Sequence, residues 1–260
     1  MVKQNYTLNN NQRRILLLLY KFRFITVGLL QEYLGLKYPS TVRNTLSTLC
    51  EQGLVACTFD KSYIKLAKSA YYYLDKAGLA IIKEDPDIDE GVLHNYYKNK
   101  SISEETRQHT LDMVAACNAI RSSHPDDYYI FTKYEIASQD EFPEQRPDLY
   151  LKQKKTSAQY LLVLAHDTPP FLTRKRLSQY IEHSEEEGWP DGDYPTLLFV
   201  LKTSSHESQL LDYAAKLLDS TGLEPTELPI AITTIKALTT KPYTSSIWTF
   251  VGSNEPKSLE

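Results

Sequence analysis

Apolar residues in about the first eighty positions recur every three or four residues, the spacing of amphipathic helices. We predict three helices there, the second beginning at Thr26 and the third capped by Ser40. One side of the third helix is apolar, with Val42, Leu46 and Leu49. Its opposite side carries short polar residues and one arginine, which are Ser40, Thr41, Arg43, Asn44 and Ser47.

Two extended segments follow the third predicted helix. The first runs from Val55 to Phe59, and the second runs from Ala70 to Leu74 after a turn at Asp60 and Lys61. A short helix from Lys76 to Ile82 completes this part of the chain. Three helices followed by a hairpin are typical of a winged helix-turn-helix, and the hairpin connection carries Lys61, Lys65 and Lys68.

The remainder of the chain predicts alternating helices and strands. A helix from Glu104 to Arg121 precedes three strands, and two further helices then alternate with strands. This order indicates an α/β domain with a mixed sheet. The predicted strands are Tyr128–Ile136, Asp148–Lys152, Tyr160–Ala165, Thr196–Leu201, Ile230–Leu238 and Ile247–Val251, and the two later helices are Phe171–Glu187 and Gln209–Leu218.

Composition excludes several classes of protein. No apolar run in the 260 residues reaches the roughly 18–20 residues of a membrane span, and no signal peptide is visible. Three cysteines are too few for a disulfide scaffold and suit reduced thiols. We therefore expect a cytoplasmic protein with no membrane partner.

The net charge of −4 conceals an asymmetry. Residues 1–83 carry twelve Lys or Arg and four Asp or Glu, whereas residues 84–260 carry seventeen and twenty-nine. A basic segment joined to an acidic one suggests a nucleic-acid-binding module attached to a second domain. We predict a winged helix at 1–83, an acidic linker at 84–103, a nuclease-like α/β domain at 104–252 and a flexible tail at 253–260.

The polar side of the third helix is the predicted DNA-reading surface. Serine, threonine, asparagine and arginine reach base edges and phosphates from a helix in the major groove. Lysines in the hairpin would contact flanking phosphates. The predicted DNA-binding residues are Lys37, Ser40, Thr41, Arg43, Asn44, Ser47, Lys61, Lys65 and Lys68. The alternative is a helical module whose polar face is solvated or binds a protein.

The α/β segment offers one candidate for catalysis. Asp148 opens a predicted strand, Asp167 follows the next strand, and Lys175 lies on the helix after it. Paired carboxylates and a lysine can hold Mg²⁺ and activate water on a phosphodiester. However, Ala165 occupies the expected position of the second acid. We therefore favour an inactive domain, and we predict no metal site unless the enzyme alternative holds.

The order of several short motifs resembles the plasmid replication-relaxation family. The resemblance covers about residues 10–202 and rests on the apolar run from Ile15, the Val42–Leu46 segment with Gly53-Leu54-Val55, His109-Thr110-Leu111, Arg146-Pro147-Asp148, and Lys175 with Tyr180 before Trp189. It implies an N-terminal winged helix and a C-terminal domain similar to the PD-(D/E)XK nuclease fold. Where related sequences have glutamate-x-aspartate before threonine, this chain has Ala165-His166-Asp167-Thr168.

The expected function is double-stranded DNA binding in the replication, copy control or mobilisation of a plasmid or other mobile element. The acidic domain would then serve dimerisation or the docking of replication or mobilisation proteins, and we expect a homodimer. One alternative is a divalent-metal-dependent endonuclease or nickase that uses Asp148, Asp167 and Lys175. Another is a transcriptional regulator or antitoxin-like repressor.

Overall fold

The computed structural model describes residues 6–59, 68–86, 88–123, 126–186, 188–190, 192–253 and 255–259. The chain divides into two compact units, Met1–Val114 and Ala115–Glu260. The fold is mixed α and β, with a small antiparallel sheet in the first unit and a seven-stranded mixed sheet in the second.

The first unit combines helices with a three-stranded antiparallel sheet. Its strands lie in the order β1-β3-β2, and Cys57 of β2 pairs with Tyr72 of β3. The predicted order of three helices, hairpin strands and a short helix is present, with an additional two-residue strand before the second helix. The elements are α1 (Asn10–Phe22), β1 (Ile25–Thr26), α2 (Val27–Leu34), α3 (Pro39–Glu51), β2 (Val55–Thr58), β3 (Tyr71–Leu74), α4 (Lys76–Ile82) and α5 (Glu90–Tyr96).

Local side-chain chemistry sets the starts of these helices. The Thr26 hydroxyl accepts a hydrogen bond from the Leu29 amide at 3.3 Å, so the predicted cap of α2 is confirmed. Ser40 is not the cap of α3, because that helix begins one residue earlier, at Pro39. Proline has no N–H to leave unpaired and its φ suits the first helical position, so it starts the helix without a side-chain cap.

The segment predicted as a linker, residues 84–103, belongs to the first unit and is partly helical. The Tyr96 hydroxyl of α5 donates to the Tyr20 carbonyl oxygen of α1, and the Tyr96 side chain is buried. Arg23 Nε donates to Asn99 Oδ1 at 2.7 Å. These contacts pack the segment against the end of α1. Val92 of the same segment is buried as well.

Gly78 allows α4 to approach the loop before β2. A Cβ atom at this position would lie 2.1 Å from the Leu54 carbonyl oxygen, which is backbone and cannot move away cheaply. We expect Gly78→Ala to lower the free energy of unfolding by about 2 kcal/mol. Gly28→Ala is the control, since nothing lies within 4 Å of that added Cβ and alanine favours helix. Equal stability of the two variants in urea titrations would contradict the close approach.

The second unit is built on one mixed sheet in the order β10-β9-β8-β7-β6-β5-β4. Strands β6, β7 and β8 are parallel, and the other neighbouring pairs are antiparallel. Its elements are β4 (Tyr128–Thr132), β5 (Leu149–Gln153), β6 (Gln159–Leu164), α7 (Pro170–Glu186), β7 (Thr196–Leu201), α8 (Ser204–Thr221), β8 (Ile230–Thr234), α9 (Ile235–Thr240), β9 (Trp248–Phe250) and β10 (Pro256–Lys257), and α6 (Glu104–Ser123) contains the boundary between the two units.

The central strand β7 is buried, as its almost wholly apolar sequence predicts. Four predictions for this unit need correction, and the first is the helix predicted to begin at Gln209, which begins at Ser204. The strand predicted to reach Ile136 ends at Thr132, and the strand predicted to reach Leu238 ends at Thr234, whose hydroxyl caps α9. The predicted flexible tail contains β10, which pairs with β9. No helix in the described part of the chain is long and apolar enough to cross a membrane.

Candidate functional site

Helix α3 has one buried and one exposed side, as predicted. Val42, Leu46 and Leu49 are at most 1% exposed. Burial of each such side chain stabilises the fold by about 1.5–3 kcal/mol. The residues predicted to contact DNA from this helix are all exposed: Ser40, Thr41, Arg43, Asn44 and Ser47. The apolar packing therefore fixes the orientation in which the polar residues face solvent.

Most of these polar groups have no competing partner in the protein. Among the described residues, the side chains of Ser40, Arg43 and Asn44 make no hydrogen bond or ion pair. Ser47 Oγ donates to Glu51 Oε1 at 3.1 Å, one turn further along the helix. Burial raises the pKa of the Cys50 thiol to about 11, so this residue adds no negative charge to α3 at neutral pH.

The basic residues predicted to flank α3 are only partly described. Lys37 is exposed, and its Nζ lies 5.2 Å from the centre of the Tyr38 ring. Lys61 and Lys65 lie outside the described residues. Lys68 forms an ion pair with Glu104 at 3.1 Å, with both side chains about half exposed. An exposed pair of this kind contributes less than about 1 kcal/mol, so it can exchange for a phosphate contact.

The charge of the first unit is smaller than that of the basic segment alone. Residues 1–114 carry fifteen Lys or Arg and twelve Asp or Glu, a net charge of +3, and the second unit carries −7. Several added acids pair with bases outside α3, since Asp85 contacts Arg13 at 2.9 Å and Glu90 contacts Lys83 at 2.7 Å. The asymmetry therefore persists between the two units, but it is weaker than the sequence division at residue 83 indicates.

The second unit holds Asp148 in a buried ionic cluster. Asp148 is 1% exposed at the start of β5, beside the end of β6. Its Oδ1 accepts from Lys133 Nζ at 2.9 Å, and its Oδ2 accepts from the Leu164 amide at 2.9 Å. Arg176 NH1 lies 3.8 Å from the same Oδ2. Both carboxylate oxygens are therefore engaged by donors from β6, α7 and the segment after β4.

The two cations of this cluster stay charged at neutral pH. Burial lowers the pKa of Lys133, but Asp148 and Tyr134 together raise it by more, so the pKa lies above its ordinary value. Burial also lowers the pKa of Arg176, whereas Tyr180 and Asp148 raise it, with a net increase. Two positive charges beside one carboxylate oppose the binding of Mg²⁺ to Asp148. Among the described residues, Asp148 joins no cluster of three or more potential metal-ligating side chains.

The other two residues of the predicted catalytic set have different environments. Asp167 follows β6, its side chain is 56% exposed, and it contacts His166 Nε2 at 3.2 Å and Lys202 Nζ at 3.9 Å. Lys175 is exposed on α7. Thus Asp148 is a buried partner of two cations, whereas Asp167 and Lys175 face solvent.

Sequence reasoning missed Lys133 and Arg176. The helical period contains a signal for Arg176, because Thr173, Leu177 and Tyr180 are buried on α7 and Arg176 lies on the same side. Lys175 is rotated by about 100° from that position. Lys133 has no comparable signal, since only the pairing of β4 with β5 brings it to Asp148.

The resemblance of the motif order to the plasmid replication-relaxation family remains an expectation. Arg146-Pro147-Asp148, which is part of that resemblance, contributes the buried carboxylate of the ionic cluster. Comparison with known proteins found no matching family model, no matching curated protein and no matching solved structure.

Proposed function

We propose that the chain binds double-stranded DNA through its first unit, which acts as a winged helix-turn-helix with α3 in the major groove. The observation that carries this proposal is the exposed polar side of α3, where the side chains of Ser40, Arg43 and Asn44 make no hydrogen bond or ion pair among the described residues. Arginine pairs with guanine and asparagine pairs with adenine at major-groove edges. The order of α1, α2, α3, β2 and β3 supports the same proposal, because it is the order of that motif.

The charge distribution determines what kind of binding is expected. Helix α3 carries Arg43 and Glu51, so its own charge is close to neutral and phosphate attraction has to come from neighbouring elements. The predicted contacts of Lys37, Lys61, Lys65 and Lys68 would supply it. Binding should therefore combine base readout by α3 with a moderate dependence on salt.

The second unit in this proposal supports dimerisation or the docking of replication or mobilisation proteins, without cleaving DNA. Asp148 supports this assignment, because the two cations beside it oppose a divalent metal. The involvement of a plasmid or other mobile element rests on the resemblance of the motifs alone. A repressor would use the same DNA-binding surface and differs only in the location of its site.

The proposal predicts selective, salt-sensitive binding to duplex DNA. The full chain is used to select from a pool of random duplexes, and affinity for the enriched duplex is measured by fluorescence anisotropy. We expect enrichment of a defined sequence, and an affinity that falls by about tenfold or more between 50 and 200 mM NaCl, because a few counterions are released. No enrichment, together with an affinity independent of salt, would remove the basis of the proposal.

A further inference from the structure

The cluster around Asp148 contains more positive than negative charge. Lys133 and Arg176 both contact Asp148, and Arg176 also donates to the Arg146 carbonyl oxygen. Within the described part of the chain, the Arg146 guanidinium donates only to backbone carbonyl oxygens, among them those of Pro143 at 2.6 Å and Gln139 at 2.7 Å. Among the described residues, Lys133 and Arg176 therefore share the carboxylate of Asp148, and the Arg146 guanidinium forms no ion pair.

The cluster also has hydrogen-bond donors that the described protein atoms do not use. The Nε atoms of Arg146 and Arg176 are buried and have no acceptor in the described part of the chain. Lys133 Nζ has three protons, of which Asp148 takes one, and its side chain is 27% exposed. A buried donor without an acceptor costs about 1–3 kcal/mol, so an added acceptor would be favourable here.

The cluster lies where parallel strands of the sheet end. Asp148 lies beside the carboxyl end of β6, and the parallel strand β7 ends next to it. Crevices outside the carboxyl ends of parallel strands are where α/β sheets bind ligands. A further cation occurs at this edge, since Lys202 follows β7 with its side chain 64% exposed and its Nζ 3.9 Å from Asp167.

We propose that Lys133 and Arg176, held in place by Asp148, form an anion site that takes a phosphoryl oxyanion without a metal. A tetrahedral phosphate offers several acceptor oxygens to an ammonium and a guanidinium together, and such charge-assisted bonds are the strong ones. The group can be a phosphodiester of nucleic acid or a free phosphate. Asp148 is a positioning residue in this site, because it fixes both cations and touches no ligand.

This inference goes beyond the proposed function and does not depend on α3. The second unit carries a net charge of −7, so a general attraction to polyanions does not explain binding there. Binding has to come from the local excess of cations. For the same reason, the site should take one phosphoryl group that enters between Lys133 and Arg176.

The test is a calorimetric titration of the full chain with inorganic phosphate and, separately, with dimethyl phosphate, at constant ionic strength set by NaCl. We expect saturable binding of inorganic phosphate that Lys133→Gln weakens by at least about tenfold, since a charge-assisted bond contributes roughly 1.5–3 kcal/mol. Lys155→Gln is the matched control, because Lys155 also pairs with an aspartate, Asp127, at 3.1 Å in the same unit. The control should bind phosphate as the wild type does.

The two titrations distinguish the two sources of the anion. Binding of both compounds indicates a nucleic-acid phosphodiester, whereas binding of inorganic phosphate alone indicates a free phosphate. Saturable binding of neither, or equal binding by Lys133→Gln and the wild type, overturns the site. If Lys133→Gln does not fold, the melting temperature of the wild type is measured in phosphate and in NaCl of equal ionic strength. A higher melting temperature in phosphate supports the site, and equal melting temperatures overturn it. Substitutions on α3 should leave all these readings unchanged.

Discussion

Asp148→Ala is expected to lower the free energy of unfolding by about 3 kcal/mol, far more than the loss of the exposed carboxylate of Asp167. The variant leaves Lys133 and Arg176 as neighbouring positive charges without their counter-ion, and it removes the acceptor of the Leu164 amide. Removing one partner of a buried ion pair costs about 3–5 kcal/mol. We take the lower value because the Lys133 side chain is 27% exposed.

Asp167→Ala is the matched control for this measurement. Its carboxylate is 56% exposed and lies 3.9 Å from Lys202, so its loss should change stability by less than about 0.5 kcal/mol. Urea titrations of both variants near pH 7 check the difference, at a pH where the raised pKa of Lys133 keeps the ammonium charged. Equal stability of the two variants would show that the buried cluster does not stabilise the unit.

The same two variants also test the endonuclease alternative. Supercoiled plasmid is incubated with wild-type protein and Mg²⁺ or Mn²⁺, and nicked product is measured on a gel. We expect no nicking by the wild type, because Lys133 and Arg176 occupy the surroundings of Asp148. Nicking that is lost in Asp167→Ala, which should remain folded, would instead support a metal-dependent enzyme.

The double variant Arg43→Ala with Asn44→Ala is expected to weaken binding to the selected duplex by at least about 30-fold, since two contacts of at least about 1 kcal/mol each are lost. Each bidentate contact to a base contributes roughly 1–3 kcal/mol of discrimination. Both side chains are exposed, so the stability of the first unit should change by less than about 0.5 kcal/mol. Affinity is measured by fluorescence anisotropy on the selected and on a scrambled duplex, and the difference between the two duplexes should shrink.

Lys76→Ala provides the control for loss of charge. Lys76 is exposed at the start of α4, and its removal takes one positive charge from the same unit without changing α3. It should preserve the preference for the selected duplex over the scrambled one. An unchanged affinity of the double variant would mean that α3 is not the recognition helix.

The helices from α1 to α4 could be predicted because each has a local signal. Val42, Leu46 and Leu49 repeat with the helical period, and Asp75 caps α4 by accepting from the Lys76 amide at 2.8 Å. The acidic segment after residue 83 was predicted as a linker because of its charges. Its buried residues, which include Tyr96, are too few to form a recognisable helical pattern in the sequence. Packing of Tyr96 on α1 decides its structure, and that contact joins residues 76 positions apart.

The candidate sites show the same division between local and distant information. The exposed side of α3 follows from periodicity alone, and its residues lie where the sequence places them. Asp148 was predicted as a candidate metal ligand, but its role depends on Lys133 and Arg176, which are 15 and 28 positions away. The pairing of β4 with β5 and the side of α7 that packs on the sheet bring these cations together. A short sequence motif predicts neither of these.

The contact between Tyr20 and Tyr96 also determines which fragments of the chain can fold. It closes a loop of 76 residues within a unit of 114, and closing such a loop costs about 4 kcal/mol of chain entropy. The burial of Tyr96 and the hydrogen bonds of Arg23 to Asn99 and to the Asn95 carbonyl oxygen offset that cost. A fragment that stops at residue 83 loses these contacts while keeping the apolar end of α1. The smallest fragment that contains α3 and unfolds cooperatively therefore has to extend past Asn99.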